Sequence, residues 1–302
     1  MIYTLTMNPA VDYYIETGGE LNREGVNRGR NEQFRAAGKG LNVSRDLSLM
    51  QIPSVAIALL GGFTGQFIED AFSHDENITL IPIRVMGNNR VNVKMMREGE
   101  MIAVNGSGPE ADLSVRVGIL RSLNGASKGD TVIISGSMMP GLDDAFMIRL
   151  CNELNERGAD IVMDAEWLRP ETIRACRPKL TKRTLKELGE LAGRQVREEE
   201  AETVLMETDP DGILLVLNED KVLLKEDGKL YRLQYPYRLP GHRVGMADAL
   251  MAAYVGKRTQ SLGPEDALRW AGAMACAVTS GPDDTAMDAV MRLFDEMKTE
   301  TV

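Results

Sequence analysis

Cysteine and histidine are both scarce in this sequence of 302 residues. Its three cysteines, Cys151, Cys176 and Cys276, lie far apart, and no two of them have zinc-ligand spacing. A sparse, odd-numbered set is not a disulfide framework, and it favours a reducing compartment, so we expect a cytoplasmic protein. With two histidines, His74 and His242, the chain has little material for a histidine-rich metal centre or for Ser-His-Asp chemistry.

Long apolar runs and an excess of positive charge are also missing. No stretch approaches the roughly 18 apolar residues of a membrane span. The opening run Met1–Thr6 has strand character and lacks the basic region of a signal peptide. The net charge of −10 argues against nucleic acid or an anionic membrane as a partner, because both are polyanions. A small anionic substrate stays open, since it needs only a local cluster of positive groups.

Short apolar runs without alternation are separated by longer amphipathic segments. The runs 55–60, 131–135, 161–164 and 212–217 are typical of strands buried on both faces of a parallel sheet. Helices are predicted at 65–73, 143–157, 247–257, 264–279 and 284–297. Strands that alternate with helices predict a doubly wound α/β fold. With 43% hydrophobic residues, the chain can form one large domain over residues 1–302.

Two segments break this rhythm, at residues 11–37 and 88–104. Their polar and apolar residues alternate or mix, as in Asn89-Arg90-Val91-Asn92-Val93-Lys94-Met95. Alternation suits a sheet with one face in water. We therefore predict that both segments form a small β-sheet lid inserted into the main domain.

A glycine-rich turn, Ala37-Gly38-Lys39-Gly40, precedes a helix predicted to start near Leu41. Backbone N–H groups at such a turn can approach a polar ligand, and Asn42 offers a donor and an acceptor to a sugar hydroxyl. A purely structural turn is the simpler interpretation of this motif alone.

An acidic residue, Asp12, follows the first strand in Thr6-Met7-Asn8-Pro9-Ala10-Val11-Asp12. Ligands of α/β sheets bind at strand ends, where a carboxylate can accept hydrogen bonds from two sugar hydroxyls. A solvated turn residue is the alternative.

The presumed lid carries basic residues, Arg28, Arg30, Arg90 and Lys94. Arg90 and Lys94 are separated by an even number of positions, so they share one face of a strand and can hold a phosphate. The alternative is that these basic residues lie on a solvated edge of the sheet and protect that edge against aggregation.

The segment Val244-Gly245-Met246-Ala247-Asp248 has the pattern of a loop that enters a helix. N–H groups at 245–248 can converge on an anion, and Asp248 can take a proton from an attacking hydroxyl. On spacing alone, an aspartate that starts a helix is the simpler interpretation.

Taken together, these motifs resemble the PfkB (ribokinase-like) carbohydrate kinases, in particular the branch of 1-phosphofructokinase and tagatose-6-phosphate kinase. The resemblance covers nearly the whole chain and is densest in the first 165 residues. It is carried by segments 2–12, 38–45, 61–65, 89–94, 105–109 and 135–141 and by the strand-end Asp164.

The resemblance implies a ribokinase-like fold and a role for each matching residue. The sugar site is expected to contain Asp12, Gly38, Lys39, Asn42 and Ser137. Arg90 and Lys94, with Arg28 as a helper, are expected to hold the phosphate already on the substrate. Asp248 becomes the base, and Gly245, Met246 and Ala247 form the anion hole for the phosphoryl group transferred from ATP, with Mg²⁺. Relatives commonly dimerise through the lid, so a homodimer is also expected.

The second half of the chain departs from the family pattern. The family's Gly-Ala-Gly-Asp reads Gly245-Met246-Ala247-Asp248, and the added Cβ of Ala247 can obstruct a phosphate or strain the turn. In the family's Lys-Pro-Asn-x-x-Glu segment, Lys182, Thr184 and Glu187 are the expected nucleotide contacts, with Glu187 near the metal. The nucleotide loop is assigned to Thr208, Asp209 and Gly212. Near the lid, Met101-Ile102-Ala103 replaces Glu-Thr-Glu.

Because these departures cluster in the presumed ATP half, several functions stay open. The first is an ATP-dependent kinase that converts fructose 1-phosphate or tagatose 6-phosphate into the bisphosphate. The alternative is a weakened or inactive sugar-phosphate-binding protein. A different phosphate donor, or a related kinase of an unphosphorylated alcohol, is also open, although Arg90 and Lys94 argue against the latter.

Overall fold

The computed structural model describes residues 1–19, 21–22, 24–97, 100–165, 167–208, 212–216, 221–237, 245–279 and 287–302. A large sheet of ten strands occupies the centre of the fold. Its strands are β1 (Ile2–Thr6), β4 (Ser54–Leu60), β5 (Ile78–Arg84), β8 (Thr131–Ser135), β9 (Asp160–Asp164), β10 (Leu180–Thr184), β11 (Ile213–Val216), β12 (Lys221–Glu226), β13 (Lys229–Gln234) and β14 (Lys298–Thr301).

The strand order in this sheet is β14-β13-β12-β11-β10-β9-β8-β1-β4-β5. Pairing is parallel from β5 to β11 and antiparallel from β11 to β14. The predicted doubly wound, mainly parallel α/β fold is therefore confirmed. Parallel pairing brings the carboxyl ends of β1, β8, β9, β10 and β11 to the same edge, where ligands bind in such sheets.

Ten α-helices are present in the described part of the chain. They are α1 (Lys39–Leu49), α2 (Gly62–Phe72), α3 (Leu113–Ser122), α4 (Asp144–Glu156), α5 (Pro170–Cys176), α6 (Leu185–Ala192), α7 (Ala201–Glu207), α8 (Met246–Thr259), α9 (Pro264–Thr279) and α10 (Met287–Glu296).

Helices cover both faces of the large sheet, because its central strands are apolar on both sides. Ile133 and Ile134 are neighbours on β8, and both are fully buried. Ile133 belongs to a core formed with α1, α8 and α9, whereas Ile134 belongs to a second core formed with α3 and α4. Neighbouring residues of a strand point to opposite faces, so the non-alternating apolar pattern follows from burial between two helical layers.

The lid is a separate sheet of four strands in the order β3-β2-β6-β7. They are β2 (Ala10–Thr17), β3 (Gly29–Ala37), β6 (Arg90–Arg97) and β7 (Glu100–Asn105). All four come from the two segments that the sequence assigns to a lid, at 11–37 and 88–104. β2 and β6 pair in parallel, so the chain enters the lid twice from the same edge of the main sheet.

Most predicted helices have the expected place, and their ends differ by a few residues. α2 begins at Gly62 because Gly61 already has an extended conformation and acts as its N-cap, ahead of the predicted start at 65. α4 begins immediately after Asp143, whose side chain accepts a hydrogen bond from the backbone N–H of Phe146. Positions 217 and 284–286, at the ends of two predicted elements, lie outside the described residues.

Candidate active site

A cavity of about 380 Å³ lies at the carboxyl edge of the large sheet, beneath the lid. Asp12, Arg90 and Asp248, three residues that the sequence assigns to one site, all contribute to its wall. Further lining residues with predicted roles are Gly38, Lys39, Asn42, Lys94, Ser137, Gly245 and Ala247. Residues more than 200 positions apart are therefore neighbours in this cavity.

The lid contributes one wall through its strands β2 and β6. Asp12 and Asn92 lie opposite each other in the β2–β6 register, and the Nδ2 of Asn92 donates to Oδ1 of Asp12 at 2.7 Å. Arg90 and Lys94 line the same cavity, as their even spacing predicts. Asp12 and Lys94 are only 5% and 9% exposed, so these charged groups are desolvated before any ligand arrives.

The start of α1 forms the floor of the cavity. Gly38 is its N-cap residue and has a φ of 152°. A Cβ at Gly38 would lie 2.6 Å from Cγ2 of Thr6, so a larger residue cannot occupy this position without displacing the side chain of Thr6. This close approach brings Lys39 and Asn42, in the first turns of α1, to the cavity.

Asp248 lies in the first turn of α8 and is 5% exposed. Its Oδ2 accepts a hydrogen bond from Nδ2 of Asn42 at 2.8 Å. Burial, with a smaller contribution from the negative charge of Asp164, raises the pKa of Asp248 to about 7, although Asn42, Lys39 and Lys182 act in the opposite direction. A carboxyl group with this pKa can exchange a proton near neutral pH, as a general base must.

The turn that enters α8 is free of the strain that an alanine at position 247 could have caused. Gly245 is the N-cap residue and has a left-handed φ of 92°, whereas α8 already begins at Met246. Ala247 is therefore helical, and its Cβ faces no conformational penalty. Gly245 and Ala247 line the cavity at the positive end of the helix dipole, whereas the side chain of Met246 packs against the core.

Several buried oxygen atoms of the cavity wall have no hydrogen-bond partner within the described part of the chain. They are Oγ1 of Thr6, Oδ1 of Asn8, Oδ1 of Asn92, Oγ of Ser135 and Oγ of Ser137. Unsatisfied buried polar atoms are rare, and a cluster of them indicates the place of a polar ligand or of water.

Of these five residues, only Ser137 has a role predicted from the sequence. Thr6 and Ser135 are the last residues of β1 and β8, and Asn8 follows β1 closely. A strand-end position in a parallel sheet was therefore the signal that could have identified them.

Lys182 lies beside the cavity rather than in its wall. Its Nζ is 3.0 Å from Oδ1 of Asp164, and the Nζ of Lys39 is 3.5 Å from the same oxygen. Asp164 is the last residue of β9, so it stands at the same sheet edge as Asp248. From the sequence, Asp164 contributes only to the family resemblance and has no predicted role.

Thr184 and Glu187 form a capping box at the start of α6. One carboxylate oxygen of Glu187 accepts hydrogen bonds from the N–H and hydroxyl of Thr184, at 2.7 and 2.8 Å. Its other oxygen lies 3.5 Å from the guanidinium of Arg183, which is 1% exposed. Neither Thr184 nor Glu187 lines the cavity.

This arrangement does not fit the prediction that Glu187 takes part in a metal shell. Both oxygens of its carboxylate are already engaged by protein donors, and the described residues contain no group of three or more side chains suited to hold a metal ion. Mg²⁺ bound with ATP relies mainly on phosphate oxygens and water. The phosphates of ATP fit this cavity better than a metal ion held by protein side chains does, because Lys39 and the first N–H groups of α8 face the cavity.

Thr208 and Gly212, two residues of the predicted nucleotide loop, lie at the edge of the sheet opposite to the cavity. Gly212 immediately precedes β11, and a Cβ there would meet the backbone oxygen of Lys179 at 1.8 Å, so this glycine allows β10 and β11 to pair closely. Thr208 ends α7, with its hydroxyl donating to the backbone oxygen of Val204 at 2.6 Å. Both residues precede β11 and lie at its amino end, whereas the cavity lies at the carboxyl edge of the sheet.

Two further predicted positions, Asp209 and Arg28, are not found in the cavity wall. Asp209 lies outside the described residues, as do positions 217–220, which follow β11 in the sequence. Arg28 is exposed and does not line the cavity. No helix in the described part of the chain has the length and apolar character to cross a membrane.

Comparisons with known proteins agree with this geometry. The family model of the pfkB carbohydrate kinases matches residues 4–289. The chain is 28% identical to a 1-phosphofructokinase of Bacillus subtilis, over 99% of both chains. It is 30% identical to a D-tagatose-1-phosphate kinase of Bacillus licheniformis, over 90% of both chains.

Solved structures give the same result for the fold. Phosphofructokinase-2 from Escherichia coli, in complex with substrates and products, superimposes with a TM-score of 0.88 at 22% identity, over 97% of this chain and 98% of that one. The family match spans both the large sheet and the lid. The chain therefore belongs to the pfkB family of carbohydrate kinases, enzymes that transfer a phosphoryl group to an alcohol.

Proposed function

We propose that the protein is an ATP-dependent ketohexose-phosphate kinase, with fructose 1-phosphate as its first candidate acceptor and tagatose 6-phosphate as the second. The observation that carries this proposal is one cavity that combines a buried carboxyl group of near-neutral pKa, Asp248, with a pair of basic residues, Arg90 and Lys94. Relatives named 1-phosphofructokinase and D-tagatose-1-phosphate kinase support a ketohexose phosphate as the acceptor.

The phosphate already on the sugar binds to Arg90 and Lys94 beneath the lid. Asp12 accepts hydrogen bonds from sugar hydroxyls through Oδ2, because its Oδ1 is held by Asn92 at 2.7 Å. The unpaired oxygens of Thr6, Ser135 and Ser137 supply further hydrogen bonds along the sugar. Such a site disfavours unphosphorylated sugars, because they bring no anion to the buried ammonium group of Lys94.

The free hydroxyl of the sugar is directed at Asp248. Asn42 fixes the orientation of this carboxylate through the 2.8 Å hydrogen bond. As the hydroxyl oxygen bonds to the γ-phosphorus of ATP, its proton moves to Asp248 and the bond from that phosphorus to the β–γ bridging oxygen breaks. Lys39 and the N–H groups at the start of α8 neutralise charge on the transferred phosphoryl group, the main requirement of such reactions.

The assay is ADP release with a panel of fructose 1-phosphate, tagatose 6-phosphate, tagatose 1-phosphate and fructose, each with Mg-ATP. We expect turnover with a ketohexose phosphate and little with fructose. Asp248→Asn is expected to reduce kcat by about 10³-fold or more, because it removes the base. Asp266→Asn is the matched control, since Asp266 also lies in the first turn of a helix but is largely exposed.

Absence of turnover with every sugar phosphate, in a folded protein, would exclude the kinase. It would favour the second candidate, a sugar-phosphate-binding protein without efficient use of ATP. The observation that favours this candidate is the engagement of Glu187 by Thr184 and Arg183, which leaves the predicted metal-shell carboxylate occupied. Thermal stabilisation by fructose 1-phosphate but not by Mg-ATP is its signature.

The proposed assembly is a homodimer formed through the outer face of the lid. Alternation along the lid strands directs Asp12, Asn92 and Lys94 to the cavity and leaves the intervening residues on the other face. Exposed apolar residues on that outer face are Phe34, Val91, Ile102 and Val104. A contiguous apolar face of this kind is unusual on a monomer and suits a second copy of the same sheet.

A further inference from the structure

Asp164 joins three elements at the carboxyl edge of the large sheet. It ends β9, and its Oδ1 lies 3.0 Å from the ammonium group of Lys182 on β10 and 3.5 Å from that of Lys39 on α1. Asp164 and Lys182 are 4% and 9% exposed in their side chains, whereas Lys39 is 30% exposed and reaches the cavity. One buried carboxylate therefore holds two ammonium groups together.

This cluster contains more positive than negative charge when Asp248 is protonated. Two like charges on flexible four-carbon side chains repel each other, and lysine has no fixed geometry of its own. A single carboxylate between them lowers that repulsion and fixes both positions. The second oxygen of Asp164 is buried and has no hydrogen-bond partner within the described residues, so no neighbouring donor there competes with the lysines for the carboxylate.

We propose that Asp164 is a positioning residue of the phosphoryl-transfer site, which holds the ammonium groups of Lys39 and Lys182 where they neutralise the phosphates of the nucleotide. The inference rests on the proposed kinase function and assigns to Asp164 a role through the two lysines rather than a direct contact with the reacting atoms. It also explains why Lys182 is ordered next to the cavity without lining it.

The negative charge of Asp164 has a second consequence, at Asp248. After burial, it is the largest influence that raises the pKa of Asp248, and Lys39 and Lys182 oppose it. The amide of Asn42 on α1 also lowers the pKa of Asp248, and the charge of Asp248 in turn helps to raise the pKa of Asp46 on the same helix. Without the charge of Asp164, burial still raises the pKa of Asp248, but by a smaller amount, so Asp248 loses its proton at lower pH than in the wild type.

The test compares Asp164→Asn with Asp160→Asn. Asp160 begins the same strand and pairs with Lys179 at 2.6 Å, but it lies at the opposite edge of the sheet and is exposed. Asp164→Asn is expected to raise the KM for ATP about tenfold, lower kcat, leave the KM for the sugar phosphate nearly unchanged, and shift the acidic limb of the pH–rate profile to lower pH. The Asp160→Asn variant should match the wild type in all four quantities.

A second readout does not depend on turnover. Lysines of the folded variants are labelled with acetic anhydride, and the modified peptides are quantified by mass spectrometry. Release from Asp164 should increase the labelling of Lys39 and Lys182 several-fold in Asp164→Asn and in no other lysine. Unchanged labelling of both lysines in the folded variant would overturn the proposal, even if the wild type proved inactive with every sugar phosphate.

If Asp164→Asn does not fold, Asp164→Glu replaces it, because that variant keeps the charge and displaces the carboxylate by one methylene group. Intermediate labelling and intermediate turnover are expected from Asp164→Glu. Wild-type labelling together with a wild-type KM for ATP in this variant would contradict a positioning role.

Discussion

At the scale of single residues, the environment gives two carboxylates of this protein opposite properties. Asp248 is buried next to another acidic residue, Asp164, and burial raises its pKa to about 7. Glu187 instead accepts two hydrogen bonds from Thr184 and lies 3.5 Å from the guanidinium of Arg183. The first arrangement favours proton exchange and the second favours a fixed structural anion.

The elevated pKa of Asp248 predicts a stability cost that grows with pH. Because its folded pKa lies above the unfolded value of about 3.9, the cost is absent below that value, increases as the pH rises, and is complete above pH 7. The Asp248→Asn variant has no carboxyl group at this position and therefore lacks this stability cost. We expect this variant to be more stable than the wild type by roughly 2–4 kcal/mol at pH 8, since one pKa unit corresponds to about 1.36 kcal/mol.

Urea unfolding at pH 8 and at pH 5 measures this effect. The advantage of Asp248→Asn should be clearly smaller at pH 5, because the wild-type carboxyl is then protonated in the folded state. An advantage that is equal at both pH values, or a destabilised variant, would show that Asp248 is not the desolvated group described here.

At the scale of secondary-structure elements, the junction between β10 and α6 has a structural role that the sequence pattern did not reveal. Thr184 ends β10, caps α6 and forms a capping box with Glu187. Arg183, on the face of β10 opposite to Lys182, donates to the backbone oxygen of Leu168 at 3.2 Å and pairs with Glu187. Burial lowers the pKa of Arg183, so the nearby carboxylate is needed to keep the charge stable.

Glu187→Ala is therefore expected to act mainly on folding. The loss of the capping box and of the charge next to Arg183 should lower the free energy of unfolding by roughly 2–4 kcal/mol. Glu190→Ala is the matched control, because Glu190 lies on the same helix, is half exposed and pairs with Lys186 only at 4.0 Å.

The double variant Arg183→Met/Glu187→Ala should recover part of that loss, because no charge then remains buried alone. A large rise in the Mg²⁺ requirement of Glu187→Ala, without a loss of stability, would restore the metal-shell role that the resemblance implies.

At the scale of the whole molecule, the sequence predicted the features that repeat along the chain. Apolar runs predicted the parallel sheet, and alternation at 11–37 and 88–104 predicted the lid. These signals are local periodicities, so each can be recognised within one strand or helix without knowledge of its neighbours in the fold. Asp12 was predicted just after the first strand, whereas it lies within lid strand β2 and reaches the cavity from there.

Features that depend on pairing between distant segments were not predictable in this way. Thr208 and Gly212 were assigned to a nucleotide loop, and only the β10–β11 register shows that they lie at the edge of the sheet away from the cavity. Likewise, the Asp164–Lys39–Lys182 cluster joins residues more than 140 positions apart, and no spacing in the sequence indicates it.

The assembly prediction also belongs to this scale. If two copies associate through the outer face of the lid, Val104→Glu should convert a dimer into a monomer, because it places a charge on an apolar face. Met101→Glu is the control, since Met101 lies on the same strand, is also exposed and points to the opposite face. Light scattering coupled to gel filtration measures the masses, and a monomeric wild type would contradict the proposed dimer.

The central claim is that a sugar phosphate binds between Arg90 and Asp12 with its free hydroxyl directed at Asp248. The most direct test is the ratio of kcat/KM for fructose 1-phosphate to that for fructose, measured in the wild type and in Arg90→Met. We predict a ratio of about 10³ or more in the wild type and a decrease of at least about tenfold in the variant, because a phosphate bound to arginine contributes several charge-assisted hydrogen bonds. An unchanged ratio in folded Arg90→Met would show that the substrate phosphate binds elsewhere, and would contradict the account.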